Sequence, residues 1–189
     1  MTIRRLPESL INRIAAGEVI ERPGAAVKEL IENSIDAGAR RIDATVTGGG
    51  RTSIVIADDG IGMDPGELRL AVERHATSKL TSGDLLDIAT LGFRGEALPS
   101  IGSVSRLTLT SRTRKAEMAW SLRVQAGHVG DVQPTAHPFG TRVEVRDLFY
   151  ATPARLKFLK TDRTELGHAG DAVKKLALAH PEIAFTLSD

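Results

Sequence analysis

Glu29 and Asn33 stand four residues apart in a stretch patterned as a helix. That spacing puts them about 6 Å apart along the axis and nearly superimposed in angle, with Asp36 one turn further on. One helix face therefore offers a carboxylate able to take a proton, an amide oxygen able to ligate a cation, and a second carboxylate. Alone, the same three residues also make an ordinary solvated face. Asp58-Asp59-Gly60-Ile61-Gly62 closes a run of strand-forming residues. Its glycines let backbone approach a ligand and a carboxylate there can accept from an exocyclic amine, although a tight Asp-Gly turn has the same composition. Thr77, Ser78 and Lys79 add two hydroxyls and an ammonium, and Gly92, Phe93, Arg94, Gly95, Glu96, Ala97 and Leu98 follow. A Gly-x-x-Gly at a helix start can aim free N–H groups at phosphate, or simply admit the chain to a helix.

Several familiar sites are absent. No lysine follows a glycine, so there is no Walker-type phosphate loop, and Gly60, Gly62 and Gly66 miss the dinucleotide spacing by one residue. His75, His128, His137, His168 and His180 do not cluster at metal-ligand spacings, and zero cysteines exclude thiolate nucleophiles and Cys-ligated metals.

The elements that must position these groups follow from periodicity. Pro23 and Gly38 bracket a helix over Gly24–Ala37, with Val27, Leu30, Ile31 and Ile35 recurring at three and four. Strands over Ile42–Val46 and Thr52–Ala57 flank three glycines as a hairpin, leaving Asp58 at a strand end. Pro65–His75 reads as a helix and Thr77–Gly95 as a long irregular segment with one short helical turn. Loops beyond about 15 residues in compact domains usually serve as lids or binding loops. A short helix over Glu96–Ile101 precedes strands at Ser105–Arg112, Met118–Gln125, Val129–Gln133 and Thr141–Arg146. Helices at Pro153–Leu159 and Thr164–Ala179 and a strand at Glu182–Ser188 complete the order. Adjacent strand pairs with helices grouped between them predict an α+β fold: a two-layer α/β sandwich with helices over one face of a mixed, mostly antiparallel sheet.

The chain of 189 residues is 41% hydrophobic and 26% charged, the composition of a globular domain able to support a core without staples. Its net charge of +1 and aromatic content of 4% give neither the electrostatic pull nor the stacking platform of a dedicated nucleic-acid binder. The polar breaks among Ile3, Leu6, Leu10, Ile11 and Ile14 leave no signal-peptide core and no membrane span, and a cytoplasmic protein is expected.

Ala15 to Pro23, Lys28 to Ala39, Asp58 to Met63, His75 to Lys79, Gly92 to Leu98, Gly140-Thr141, Leu148 to Arg155 and Lys157-Phe158-Leu159 stand in the order and spacing of one family's signatures. From Ile3 to about Leu159 the chain resembles the MutL family of DNA mismatch-repair proteins. That family is similar in its ATP fold to gyrase-type topoisomerases, a heat-shock chaperone and histidine kinases, which implies a Bergerat-type sandwich holding ATP under a mobile lid. By resemblance Glu29 activates the attacking water, Asn33 ligates Mg²⁺ and Asp58 reads the adenine amine. Thr77 to Lys79 and Gly92 to Leu98 would close over the phosphates, and Asp36, Ala37, Gly62, Met63 and Thr141 would line the nucleotide. Glu29 favours hydrolysis over the phosphotransfer of the kinase branch.

The resemblance also implies residues 1–22 as an N-terminal arm and 23–189 as the ATP-binding domain. It implies self-association through that arm when nucleotide is bound, a mismatch-recognition protein and other repair factors as partners, and DNA as a partner of the full-length protein. A second subdomain that donates a lysine to the γ-phosphate and a C-terminal dimerisation region are expected beyond this chain. Asp59 and Ala151 stand where Asn is more usual, and Leu156 where a basic residue is frequent. A different reading makes the nucleotide site a relic and gives Arg155, Lys157, Lys160 and Arg163 to DNA; Glu29 argues against it, and the basic run also fits a solvated helix face.

Overall fold

The computed structural model describes residues 7–74, 76 and 95–189. The expected site residues Thr77, Ser78, Lys79, Gly92, Phe93 and Arg94, and all of the expected lid except Gly95, lie outside the described residues. The helices are α1 (Glu8–Val19), α2 (Pro23–Asp36), α3 (Pro65–Ala71), α4 (Ala97–Val104), α5 (Pro153–Leu156) and α6 (Asp162–Ala179). The strands are β1 (Arg41–Thr47), β2 (Ser53–Asp58), β3 (Arg106–Arg112), β4 (Ala119–Gln125), β5 (His128–Val129), β6 (Gln133–Thr135), β7 (Gly140–Arg146) and β8 (Ala184–Ser188).

Strand alternation builds the layer that carries the site. Ile42, Ala44 and Val46 on β1, Ile54 and Ile56 on β2, Val143 and Val145 on β7, and Leu107 and Leu109 on β3 all point to one face and are buried. Each of the Val, Leu and Ile side chains among them contributes about 1.5–3 kcal/mol when fully removed from water. Opposite them lie Val27, Leu30 and Ile31 of α2, Ile101 and Val104 of α4, and Ala169 and Val173 of α6, in one continuous core. The sheet order is β5-β4-β3-β7-β2-β1-β8, with β6 paired to β4. The pair β1–β8 is parallel and the remaining pairs are antiparallel. This is the mixed, mostly antiparallel sandwich that the element order predicts.

Helix α2 begins with proline at its first turn, where a missing N–H loses nothing, and ends at Gly38 in the left-handed region at φ +71°. The expected helix over 65–75 ends instead at Ala71, because Val72 leaves helical geometry and the Glu73 N–H turns back to the Leu70 carbonyl. The expected strand over 129–133 divides into β5 and β6. Pro134 sits in β6, at the sheet's edge, where a missing N–H is tolerated. The expected helix over 153–159 closes after one turn at Leu156. Within 7–22, α1 packs on α4 and sinks Ala16 and Ile20 fully into the core, while Leu10, Ile11 and Ile14 remain exposed. No helix among the described residues is long and apolar enough to cross a membrane.

Candidate functional site

Glu29 lies on the accessible side of α2, its side chain about one-third exposed. Its nearest charged neighbour is Lys28, whose ammonium donates to Glu32 at 2.8 Å and stands 3.7 Å from Glu29. Burial works against the Lys28 ammonium, but the bond to Glu32 and the charge of Glu29 outweigh it and hold its pKa above the usual lysine value. Lys28 thus spends its closest contact on Glu32 and leaves the Glu29 carboxylate at ion-pair distance. Asn33 follows one turn along α2, half-buried, and Asp36 and Ala37 end the helix.

The far end of the site is a polar row laid across three strands. Asp58 ends β2, pairs in register with Thr141 of β7, and Thr141 pairs with Ser111 of β3. Residues directly opposite in antiparallel strands project to the same face, so all three side chains sit under the helices at one edge of the core. Asp58 Oδ2 accepts from the Ser34 hydroxyl of α2 at 2.8 Å. Its Oδ1 accepts from the backbone N–H of Gly60 at 2.9 Å and of Thr141 at 3.3 Å. The row is therefore tied to α2 at Ser34, five residues from Glu29 and about 7.5 Å along the helix axis.

The turn after β2 is held against this row by close backbone approach. Ile61 N–H donates to the Ala37 carbonyl at 3.0 Å, and Met63 N–H to the Ser111 hydroxyl at 2.8 Å. Gly62 adopts φ +71° with its Cα against the Arg112 carbonyl, and Gly140 adopts φ +108° against the Asp58 carbonyl. Any side chain at either position would collide with backbone, which is why glycine is required at both.

The two adjacent aspartates have opposite electrostatics. Burial pushes the Asp58 carboxyl above the ordinary value, and the bonds from Ser34, Gly60 and Thr141 offset this only in part. Burial also acts on Asp59, but the backbone N–H groups of Arg40 and Arg41, each donating at 2.8 Å, draw its pKa below the usual range. Asp59 is thus a strut for the start of β1, while Asp58 is a partly desolvated acceptor held in the site.

Because native Asp58 holds its proton more tightly than the unfolded chain does, the native state binds more protons between the two pKa values. Stability falls as pH rises through that window. Replacing Asp58 with Asn removes the desolvated charge and keeps the Oδ1 acceptor, while Ser34 can turn its hydrogen to the Leu30 carbonyl at 3.3 Å. The expected result for Asp58→Asn is a melting temperature higher by about 2–4 °C near neutral pH, as for a gain near 1 kcal/mol in a domain of this size. Differential scanning calorimetry across pH checks it. The gain should shrink as pH falls, and a variant that melts lower at every pH refutes this account of the site.

Of the residues singled out from sequence, the structure brings Asp36, Ala37, Asp58, Gly62, Met63 and Thr141 together at the C-terminal end of α2. Asn33 and Glu29 lie one and two turns back along the same helix. Gly95, Glu96, Ala97 and Leu98 form the entrance to α4, where Glu96 is the N-cap residue and lies 3.8 Å from Arg74. Ser34 and Ser111 escaped the sequence reading. Ser111 had a signal: it takes the buried-face position after Leu107 and Leu109, where an apolar residue is expected. Two surface clefts, of about 480 and 410 Å³, lie between α2 and β8 and between α1 and α5, and touch neither Glu29 nor the polar row.

A helix bearing Glu29 and Asn33 above a mixed sheet with a buried aspartate at a strand end defines a class of nucleotide-binding sandwich. Residues 21–142 match the model for histidine kinase-, DNA gyrase B-, and HSP90-like ATPases, and the chain belongs to that family. Within it the likeness is to one branch. The chain is 71% identical over its whole length to the DNA mismatch repair protein MutL of Rhodospirillum rubrum, and 67% identical to that of Paramagnetospirillum magneticum. It spans 30% and 31% of those relatives. Among solved structures, the Aquifex aeolicus MutL ATPase domain complexed with ADP aligns at 35% identity and a TM-score of 0.75, over 90% of this chain and 60% of that one. The N-terminal domain of a DNA repair protein aligns at 32% identity and a TM-score of 0.79, over 94% of this chain and 51% of that one.

Proposed function

We propose that this chain is the ATP-binding and hydrolysing module of a MutL-type mismatch-repair protein, acting as an ATP-driven conformational switch between mismatch recognition and downstream repair factors. The observation that carries the reading is α2 itself. One helix holds Glu29 and Asn33 on an accessible face and, through Ser34, anchors Asp58 at the other end of the site. Asp58 offers an acceptor to the adenine amine, and the backbone turn at Gly60 to Met63 lies beside it. Asn33 stands between base and water-activating ends. The remaining contacts to phosphate are assigned by resemblance to Thr77, Ser78, Lys79, Gly92, Phe93, Arg94 and Gly95, with Glu96, Ala97 and Leu98 at the helix start.

The donor set around Asn33, one amide oxygen with the carboxylates of Glu29 and Asp36 a turn to either side, fits a hard cation that keeps most of its shell as phosphate and water. Mg²⁺ when bound neutralises charge developing on the transferred phosphoryl group. Glu29 accepts a proton from water as the water oxygen attacks the γ-phosphorus. The bond to the bridging oxygen breaks and ADP leaves with the electron pair. In the whole protein, nucleotide binding is coupled to self-association through the N-terminal region and to contacts with a mismatch-recognition protein and DNA in the cytoplasm.

Calorimetric titration of ATP into this chain, with and without Mg²⁺, tests the reading. Saturable binding that strengthens with Mg²⁺ is expected, weak because ordering backbone around a ligand costs about 1–2 kcal/mol per residue. Absence of binding up to millimolar Mg·ATP would show a relic site.

A further inference from the structure

Ser111 is fully buried and makes three contacts whose chemistry leaves one arrangement of hydrogens. Its hydroxyl oxygen lies 2.8 Å from the Met63 N–H, 3.0 Å from the Gly140 carbonyl oxygen and 2.9 Å from the Thr141 hydroxyl. The Met63 N–H can only donate, and the Gly140 carbonyl can only accept. The single Ser111 hydrogen therefore goes to Gly140, and its oxygen accepts from Met63. All contacts are satisfied only if Thr141 donates its own hydrogen to the second lone pair of Ser111.

Thr141 then presents lone pairs alone. Beside it, Asp58 accepts from Ser34, Gly60 N–H and Thr141 N–H. A carboxylate has about four acceptor positions, so one remains for a ligand. The row Asp58–Thr141 thus faces the site with acceptors and no donor. An exocyclic amine suits such a surface, whereas a purine carbonyl at the same position leaves two buried acceptors facing a third.

Resting on the adenine-nucleotide reading, we propose that Ser111 is a specificity-determining positioning residue: by holding the Thr141 hydrogen it makes the base-reading row acceptor-only and so excludes 6-oxo purine nucleotides. Ser111 itself need not touch the ligand. Loss of its hydroxyl frees the Thr141 hydrogen to turn toward a 6-oxo group.

The test compares dissociation constants for Mg·ATP and Mg·ITP, which differ only at the purine 6-position and its neighbouring ring nitrogen, by titration to millimolar nucleotide. Parent chain, Ser111→Ala, Thr141→Val and the double variant are measured, each checked for folding by its thermal transition. In Ser111→Ala the preference for ATP over ITP should fall about tenfold, and the double variant should lose that relaxation because it needs the Thr141 hydroxyl. Equal loss of both nucleotides in Ser111→Ala, with the ratio unchanged, would overturn the proposal by reducing Ser111 to a structural bond. If Ser111→Ala does not fold, Thr141→Val decides alone. Weakened ATP with ITP unaffected supports the assigned polarity, and weakened ITP contradicts it. A parent chain that binds neither nucleotide, or ITP as well as ATP, refutes the adenine reading itself and not merely the part played by Ser111.

Discussion

Replacing Glu29 with alanine is expected to lower ATP turnover by about 10²–10⁴, the range that a positioned general base supplies, while Mg·ATP affinity stays within a few-fold of the parent. The separation follows from where Glu29 stands. It lies on α2 with a third of its side chain exposed, removed by about a turn and a half from Ser34, whose hydroxyl donates to Asp58. It is not among the groups that bind Asp58, and its loss leaves the close pair of Lys28 and Glu32 in place. Removing one of the two carboxylates beside Lys28 also removes negative charge near a polyanion, so affinity has no electrostatic reason to fall. Glu29→Gln keeps size and hydrogen bonding but not basicity and should be equally inactive. Single-turnover hydrolysis by the full-length protein, alongside nucleotide titration, reads both quantities. Parent-like turnover in either variant would remove Glu29 from the mechanism.

Asn33→Ala is expected to act on binding, lowering Mg·ATP affinity by at least about tenfold, the scale reached by the loss of even outer-shell metal partners. The triphosphate approaches a helix face that carries Glu29, Glu32 and Asp36. Without a cation held between phosphate and protein, these like charges oppose one another. The variant should therefore lose most of the difference between titrations with Mg²⁺ and with excess chelator, while nucleotide binding without metal changes little. An unchanged Mg·ATP dissociation constant would show that the cation takes no oxygen from Asn33. Together the two variants divide one helix face by function, with loss of rate at Glu29 and loss of metal-dependent affinity one turn later at Asn33.

The α2 face was legible from the sequence because helical spacing is a local property. Residues at i and i+4 meet whatever the rest of the chain does, and Pro23 and Gly38 mark the ends. The same holds for the inward faces of the strands. Ile54-x-Ile56, Leu107-x-Leu109 and Val143-x-Val145 report a period of two that burial then confirms. Less legible were short or edge elements such as β5, β6 and α5, whose few residues carry too little periodicity to set their limits.

What only the tertiary structure decided is the meeting of polar residues that stand far apart in the chain. Asp58, Ser111 and Thr141 each extend an apolar alternation by one more inward position: Ile54, Ile56, Asp58; Leu107, Leu109, Ser111; Thr141, Val143, Val145. Each strand alone shows only a polar residue at one end of a buried face, compatible with fraying into solvent. The register Asp58↔Thr141↔Ser111 joins the three ends into a row, and that register crosses from β2 to β7 and back to β3. Register is set by packing of both faces and by the turns that launch each strand, and a slip of one residue would send all three side chains to the opposite face. The opposite shifts of Asp58 and Asp59 have the same origin. Two neighbouring aspartates are identical in sequence terms, and only the pleat, which turns one toward Ser34 and the other toward the Arg40 and Arg41 amides, gives them different chemistry.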